Sequence, residues 1–230
     1  MELFMKFDCS LVRKYVDLFY EKYCENKQDV INLNKNEIEE IACVASHLAY
    51  RSSVSRAKSF NNYTGINLEN DKQACRFECE NKIIKVFLVQ LFYHKITDFE
   101  EECQKTWQDI KKIYHDKYFF LSYKIGHAQK WLSMSIKYFY VLLVKFNQIE
   151  INVDNVFNGY WYFPVDGMVI NHFKNKDWNL KFTDLYWTKS DSVKSFSDFL
   201  EEVKNHKLMN VNPFIYELCI WWDIKENSQY

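Results

Sequence analysis

Turn-forming residues are nearly missing from this chain, which has 4 glycines and 2 prolines in 230 residues. All-β sandwiches and barrels need many tight turns, and those turns draw on glycine and proline, so the shortage argues against such folds. Arginine is scarce as well, confined to Arg13, Arg51, Arg56 and Arg76. Any positive surface in the C-terminal half is therefore lysine, which meets a phosphate as a point charge and not as a fork. The formal net charge is −1, so there is no global basic field of the histone kind, although 30 basic residues leave room for a local basic groove. The longest apolar run, "YFYVLLVKF", is too short to cross a bilayer. The opening "MELFMKFDCS" lacks the basic-then-apolar pattern of a secretory signal. The 7 cysteines are odd in number and irregular in spacing, which reads as reduced, mostly buried thiols in a cytoplasmic protein. Cys75 and Cys79 stand four apart, but no second Cys or His pair follows at ligand spacing, so no metal site is expected.

What is present is apolar and helical. Hydrophobic residues make up 48% of the chain and aromatic residues 18%, enough to build a sizeable core and to argue against wholesale disorder. Helical spacing runs through residues 10–26, with Ser10 as cap, and through 34–60, with Asn36 as cap and Glu37, Glu39 and Glu40 in the first turn. Residues 61–70 read as a polar loop containing Gly65. Residues 71–96 form a third helix whose second half is central to the core, because it is fully apolar near Val86 to Phe92. Residues 97–119 form a fourth, with Thr97 as cap and Glu100 as its capping-box partner.

A fifth helix is expected over about 127–146. After it come an irregular aromatic stretch (147–164), a short helix from 165, a loop or short extended segment (178–192), and two closing helices over 192–207 and 212–224. Pro213 suits the first turn of the last one. The expected fold is all-α, a single helical domain over residues 1–230, with lobes 1–120 and 121–230 around a cleft.

Two features carry chemistry. The first is "YKIGHAQK", a glycine turn feeding the fifth helix, with Lys130 near the helix start and Lys137 seven residues on. The second is "PVD", in which Asp166 opens a short helix after Pro164. Amides pointing outward at a helix start make an anion site that suits a phosphate. A lysine in an apolar cleft loses solvation and can attack an electrophilic carbon, and a neighbouring aspartate can take its proton. Each feature also has a plain structural reading. Lys130 can lie solvated on a helix face, Asp166 can be only an N-cap, and His127 can be an ordinary first-turn residue. Trp131, Met134, Trp187, Trp221 and Trp222 are more often core than pocket.

In order and spacing, "GHAQK" followed by "PVD" resembles the helix-hairpin-helix DNA glycosylases, most closely the archaeal 8-oxoguanine glycosylase branch with its Gln-Lys pair, here Gln129-Lys130. The resemblance covers about residues 121–173. It differs from the usual hairpin, which has two glycines just before the lysine; here Gly126 stands alone, three residues ahead of Lys130. No iron–sulfur cysteine cluster follows. The resemblance implies an element of helix-hairpin-helix type and a glycosylase/AP lyase acting on duplex DNA with a flipped base. It makes Lys130 and Asp166 catalytic: the Lys130 amine attacks the sugar C1′, the base leaves, a Schiff base forms, and β-elimination nicks the strand. It gives Lys124, Gly126, His127, Gln129 and Lys137 to DNA binding and requires no cofactor. A competing reading, favoured by the near-zero charge and the aromatic surplus, is a non-catalytic helical interaction protein of a phage-defence or toxin–antitoxin system. A helical RNase is disfavoured because no arginine is followed by histidine at the spacing such enzymes use.

Overall fold

The computed structural model of the chain describes residues 9–53, 63–150, 165, 170 and 189–205. Every regular element among them is helical, so the protein is all-α. In chain order these are α1 (Cys9–Tyr23), α2 (Gln28–Ile31), α3 (Ile38–Ser53) and α4 (Leu68–Cys79). A π-helical segment (Glu80–Ile84) joins α4 to α5 (Lys85–Phe92). Then come α6 (Phe99–Lys112), a second π-helical segment (Ile113–Lys117), α7 (Ile125–Lys145) and α8 (Val193–Asn205). No described helix is long and apolar enough to cross a membrane.

Local chemistry sets the boundaries. α4 starts three residues before the expected Asp71, because the Asn67 side chain accepts from the Asn70 amide at 3.2 Å and caps the helix. α6 is capped by Asp98, which accepts from the Glu101 amide at 2.9 Å, so the cap falls one residue after the Thr97 expected from the Thr97–Glu100 pattern. An aspartate carries a full negative charge to the positive end of the helix, where a threonine offers only a dipole. The rest of α6 suits its dipole too, with Glu100, Glu101 and Glu102 in the first turn and Lys111 and Lys112 in the last. Its buried residues Phe99, Cys103, Thr106, Trp107 and Ile110 recur at helical spacing and make one apolar face.

The shortage of glycine leaves a mark on the helix ends. A helix often closes on a residue in the left-handed conformation, usually glycine. Here α5, the second π segment and α7 close instead on His94 (φ 53°), Phe119 (φ 58°) and Asn147 (φ 55°). Each is followed by a backbone bond back into its helix: Lys95 to Gln90 at 2.9 Å, Phe120 to Tyr114 at 2.8 Å, and Gln148 to Leu143 at 2.9 Å.

α7 is the axis of the core. It packs most extensively against α3, then α6, then α1. The indole N–H of Trp131 donates to the Ser46 carbonyl at 3.0 Å and ties α7 to α3. Tyr114 stacks on Tyr123 with ring centroids 3.7 Å apart, and Phe120 lies against Tyr63 at 5.0 Å, so the turn into α7 is itself packed. Trp131 is fully buried, as the core reading of that residue expects. α6, the second π segment, the turn 118–124 and α7 run in sequence, with α6 packed on α7.

Candidate functional site

α7 begins at Ile125, two residues earlier than the spacing suggests. Gly126 is therefore the second residue of the helix and not a turn ahead of it, and Lys130 lies in the second turn. The N-cap is Lys124, whose side chain has no acceptor for the first amides. The chain supplies acceptors from elsewhere. The Ile125 amide donates to Asp191 Oδ1 at 3.1 Å, the Gly126 amide to the Ser190 carbonyl at 3.2 Å, and the His127 amide to the Lys124 carbonyl at 2.9 Å. The amides that the sequence reading assigned to a phosphate are thus engaged by the protein.

Asp191 holds this helix start together. Besides the Ile125 amide it takes the Lys111 ammonium at 2.8 Å and that of Lys124 at 3.5 Å. Partial burial pushes its carboxyl up. The Lys111 hydrogen bond, the Ile125 amide and the two lysine charges outweigh that and hold it below the ordinary aspartate range. Asp191 was missed in the sequence, where "TKSDS" reads as a loop. Its partner amide is 66 residues away, and nothing local marks the pair.

His127 is only 2% exposed. Its Nδ1 accepts from the Lys124 amide at 2.9 Å, and its ring packs against Tyr123 at 5.1 Å. Burial drives its pKa down to about 4, helped by the Lys124 charge and opposed by the charge of Asp191. At neutral pH the ring is uncharged, with its hydrogen on Nε2.

Farther along α7, Gln129 is fully buried. Its amide nitrogen donates to Ser133 Oγ at 3.2 Å, and its Oε1 accepts from the backbone amide of Val165 at 3.4 Å. From Ile125 to Val144 every residue is buried except Lys130 and Met134, which are half-buried. These two are four apart and form one stripe, a narrow window in an otherwise covered helix. Lys137 is not a surface cation, contrary to the sequence reading. It is 1% exposed, with its ammonium 5.7 Å from the centre of the Phe19 ring, which removes it from any surface a DNA backbone can reach. The reason is the depth of α7 in the core, where position 137 faces Phe19 of α1. Asp166 lies outside the described residues, as do Pro164, Trp187, Trp221 and Trp222.

A second polar group was not singled out in the sequence. Glu80, in the first π segment and 4% exposed, lies 3.3 Å from His47 Nδ1 and 3.6 Å from Arg76 Nε. His47 Nε2 is 3.7 Å from Asp29, and Arg51 is 3.6 Å from Asp29. This network pins α3 to the π segment and neutralises a buried carboxylate. Among the described residues no group of three or more His, Cys, Asp or Glu could hold a metal ion. Cys24, Cys43, Cys75, Cys79 and Cys103 are free, and burial raises the thiols of Cys24, Cys43, Cys79 and Cys103, that of Cys24 to about 12, so at neutral pH Cys24 is not a thiolate nucleophile. Comparison with known proteins yields no matching family model, curated protein or solved structure.

Proposed function

We propose that the protein is a DNA glycosylase with AP lyase activity, in which Lys130 is the amine nucleophile and Asp166 its partner. The observation that carries this reading is the bond from the Val165 amide to Gln129 Oε1. It joins the residue before Asp166 to the residue before Lys130, so at Val165 the chain is back against α7 one residue from the lysine in sequence, despite a separation of 36 positions. The half-buried stripe of Lys130 and Met134 is a second support, since a nucleophile needs an opening and α7 offers one between Ile125 and Val144. The α6–turn–α7 hairpin stands as the helix-hairpin-helix-like element in this reading, with lobes 1–120 and 121–230 meeting around it.

In the reaction, the Lys130 amine attacks C1′ of the flipped nucleotide and the C1′–base bond breaks, with its electron pair leaving on the base. Asp166 takes the lysine proton and offsets the cationic sugar as charge develops. Opening of the sugar gives a Schiff base, and β-elimination then breaks the 3′ C–O bond. Sodium borohydride trapping on duplexes carrying oxidised guanine or an abasic site tests this. The wild type is expected to form a covalent adduct and Lys130→Gln none, with unchanged helical circular dichroism. An adduct that persists in Lys130→Gln removes the assignment.

One observation favours the second reading, a non-catalytic helical interaction protein. The first amides of α7 are engaged by Ser190 and Asp191, which leaves no open amide turn for a phosphate. Absence of adduct and of DNA binding in the wild type would select it.

A further inference from the structure

An open hollow of about 370 Å³ lies beside the start of α7, between the end of α6 and the start of α8. Lys111, Lys112, His115, Asp116 and Asp191 wall it. Lys111 and Lys124 are committed to Asp191, whereas Lys112 is exposed and makes no ion pair among the described residues. The wall itself carries two lysines and two aspartates; Lys124, outside the wall but paired with Asp191, brings the local group to three ammonium groups against two carboxylates, an excess of one positive charge that a single phosphodiester would neutralise. His115 is fixed in place because its Nε2–H donates to the Tyr123 carbonyl at 2.7 Å.

The tip of the α6–α7 turn stands on that same histidine. The Phe119 amide donates to the His115 carbonyl at 3.2 Å. Phe119 is 50% exposed and Leu121 is 52% exposed. Phe119 also holds a left-handed backbone with φ 58°, a conformation that glycine adopts without penalty and a phenylalanine does not. His94 and Asn147 share this backbone at other helix ends, so what sets Phe119 apart is a large aromatic ring left half in water and open to a partner. A basic hollow next to an exposed aromatic is the combination that holds a sugar–phosphate strand: the cations take the backbone and the ring takes a base face.

We infer that this hollow and tip form a DNA contact, with one backbone phosphate seated on Lys112 and Lys111 and Phe119 stacked on the adjoining nucleotide. This deepens the glycosylase reading by resting on DNA as the partner. It assigns the contact to side chains of the hairpin and not to the amides of Gly126 and His127. Asp191 is the resident anion that the phosphate must crowd, so removing its charge strengthens binding.

The experiment measures fluorescence anisotropy of a labelled duplex across a salt series, alongside urea unfolding of each variant. Lys112→Ala is expected to weaken binding about eightfold near 0.1 M salt and to lower the salt slope by about one. Asp191→Asn keeps an oxygen for the Ile125 amide and is expected to tighten binding. Phe119→Gly relieves the left-handed backbone, so it is expected to unfold at higher urea and yet bind about fivefold or more weakly. A variant that folds better and binds worse cannot be explained by damage to the structure. If Phe119→Gly and Lys112→Ala bind as the wild type does while borohydride adduct still forms, the inference is overturned and the enzyme reading stands. If both weaken binding and no adduct forms, the contact stands and the enzyme reading falls. A wild type that does not bind DNA overturns both.

Discussion

Replacing His127 by phenylalanine should flatten the acid side of the stability curve. The sign follows from the direction of the shift. Folding lowers this pKa from 6.5 to about 4, so below pH 6.5 the unfolded chain binds a proton that the folded chain refuses. Stability is then unaffected above the unfolded value and is lost as pH falls from 6.5 toward 4. Integrating over that window gives a loss of about 1 kcal/mol between pH 7 and pH 5.5, and about 3 kcal/mol once both states are protonated. The physical source is desolvation: the ring is 2% exposed, packed on Tyr123, and its Nδ1 is already accepting from the Lys124 amide. A charged ring would have to give up that acceptor. His127→Phe keeps the ring contact and leaves the Lys124 amide unpaired, at a pH-independent cost of about 1 kcal/mol. Urea unfolding of both proteins at pH 7 and pH 5.5 separates the two effects. The wild type should lose about 1 kcal/mol more than the variant between those pH values. Equal losses in the two proteins would refute the buried neutral histidine.

Two further outcomes rest on the fold. His94→Gly should stabilise the protein by about 0.5–1 kcal/mol, the relief of an exposed left-handed residue less the entropy of glycine, read as a higher urea midpoint; a lower midpoint would mean the side chain contributes more than its backbone costs. Trp131→Ala should cost about 3–5 kcal/mol in chemical denaturation, because the ring is fully buried against Tyr50 and its N–H holds the Ser46 carbonyl.

The helical class was legible because its signals are local. The apolar face of α6, the acid-rich first turn and the lysines of its last turn all lie within one short segment. Caps were harder, since Thr97 and Asp98 are adjacent and both plausible, and the charge on aspartate decided between them. The two π segments were not legible, because one inserted residue per turn leaves little trace in an apolar pattern. At the site, the bond from Val165 to Gln129 spans 36 positions, and nothing local in either segment announces it. Asp191 and the burial of Lys137 were invisible for one reason: each depends on a partner supplied by another helix.

The capping of α7 by Asp191 bears on how Lys130 could react. A free helix start carries roughly half a positive charge and would favour the uncharged form of a nearby amine. Here a full carboxylate sits on the first amide at 3.1 Å, and two lysines sit on that carboxylate in turn. The field of the helix is therefore largely answered at its origin, and it fades within a turn in any case, short of residue 130. This is why the chain tolerates a lysine so near the start of its most buried helix. It also moves the burden of the proposed reaction. The helix field does not reach Lys130, so within the proposal the task of accepting its proton falls wholly to Asp166. Within the proposal, Asp166→Asn should then abolish adduct formation as fully as Lys130→Gln does. A variant that merely slowed with its pH profile unchanged would assign Asp166 to its helix cap alone.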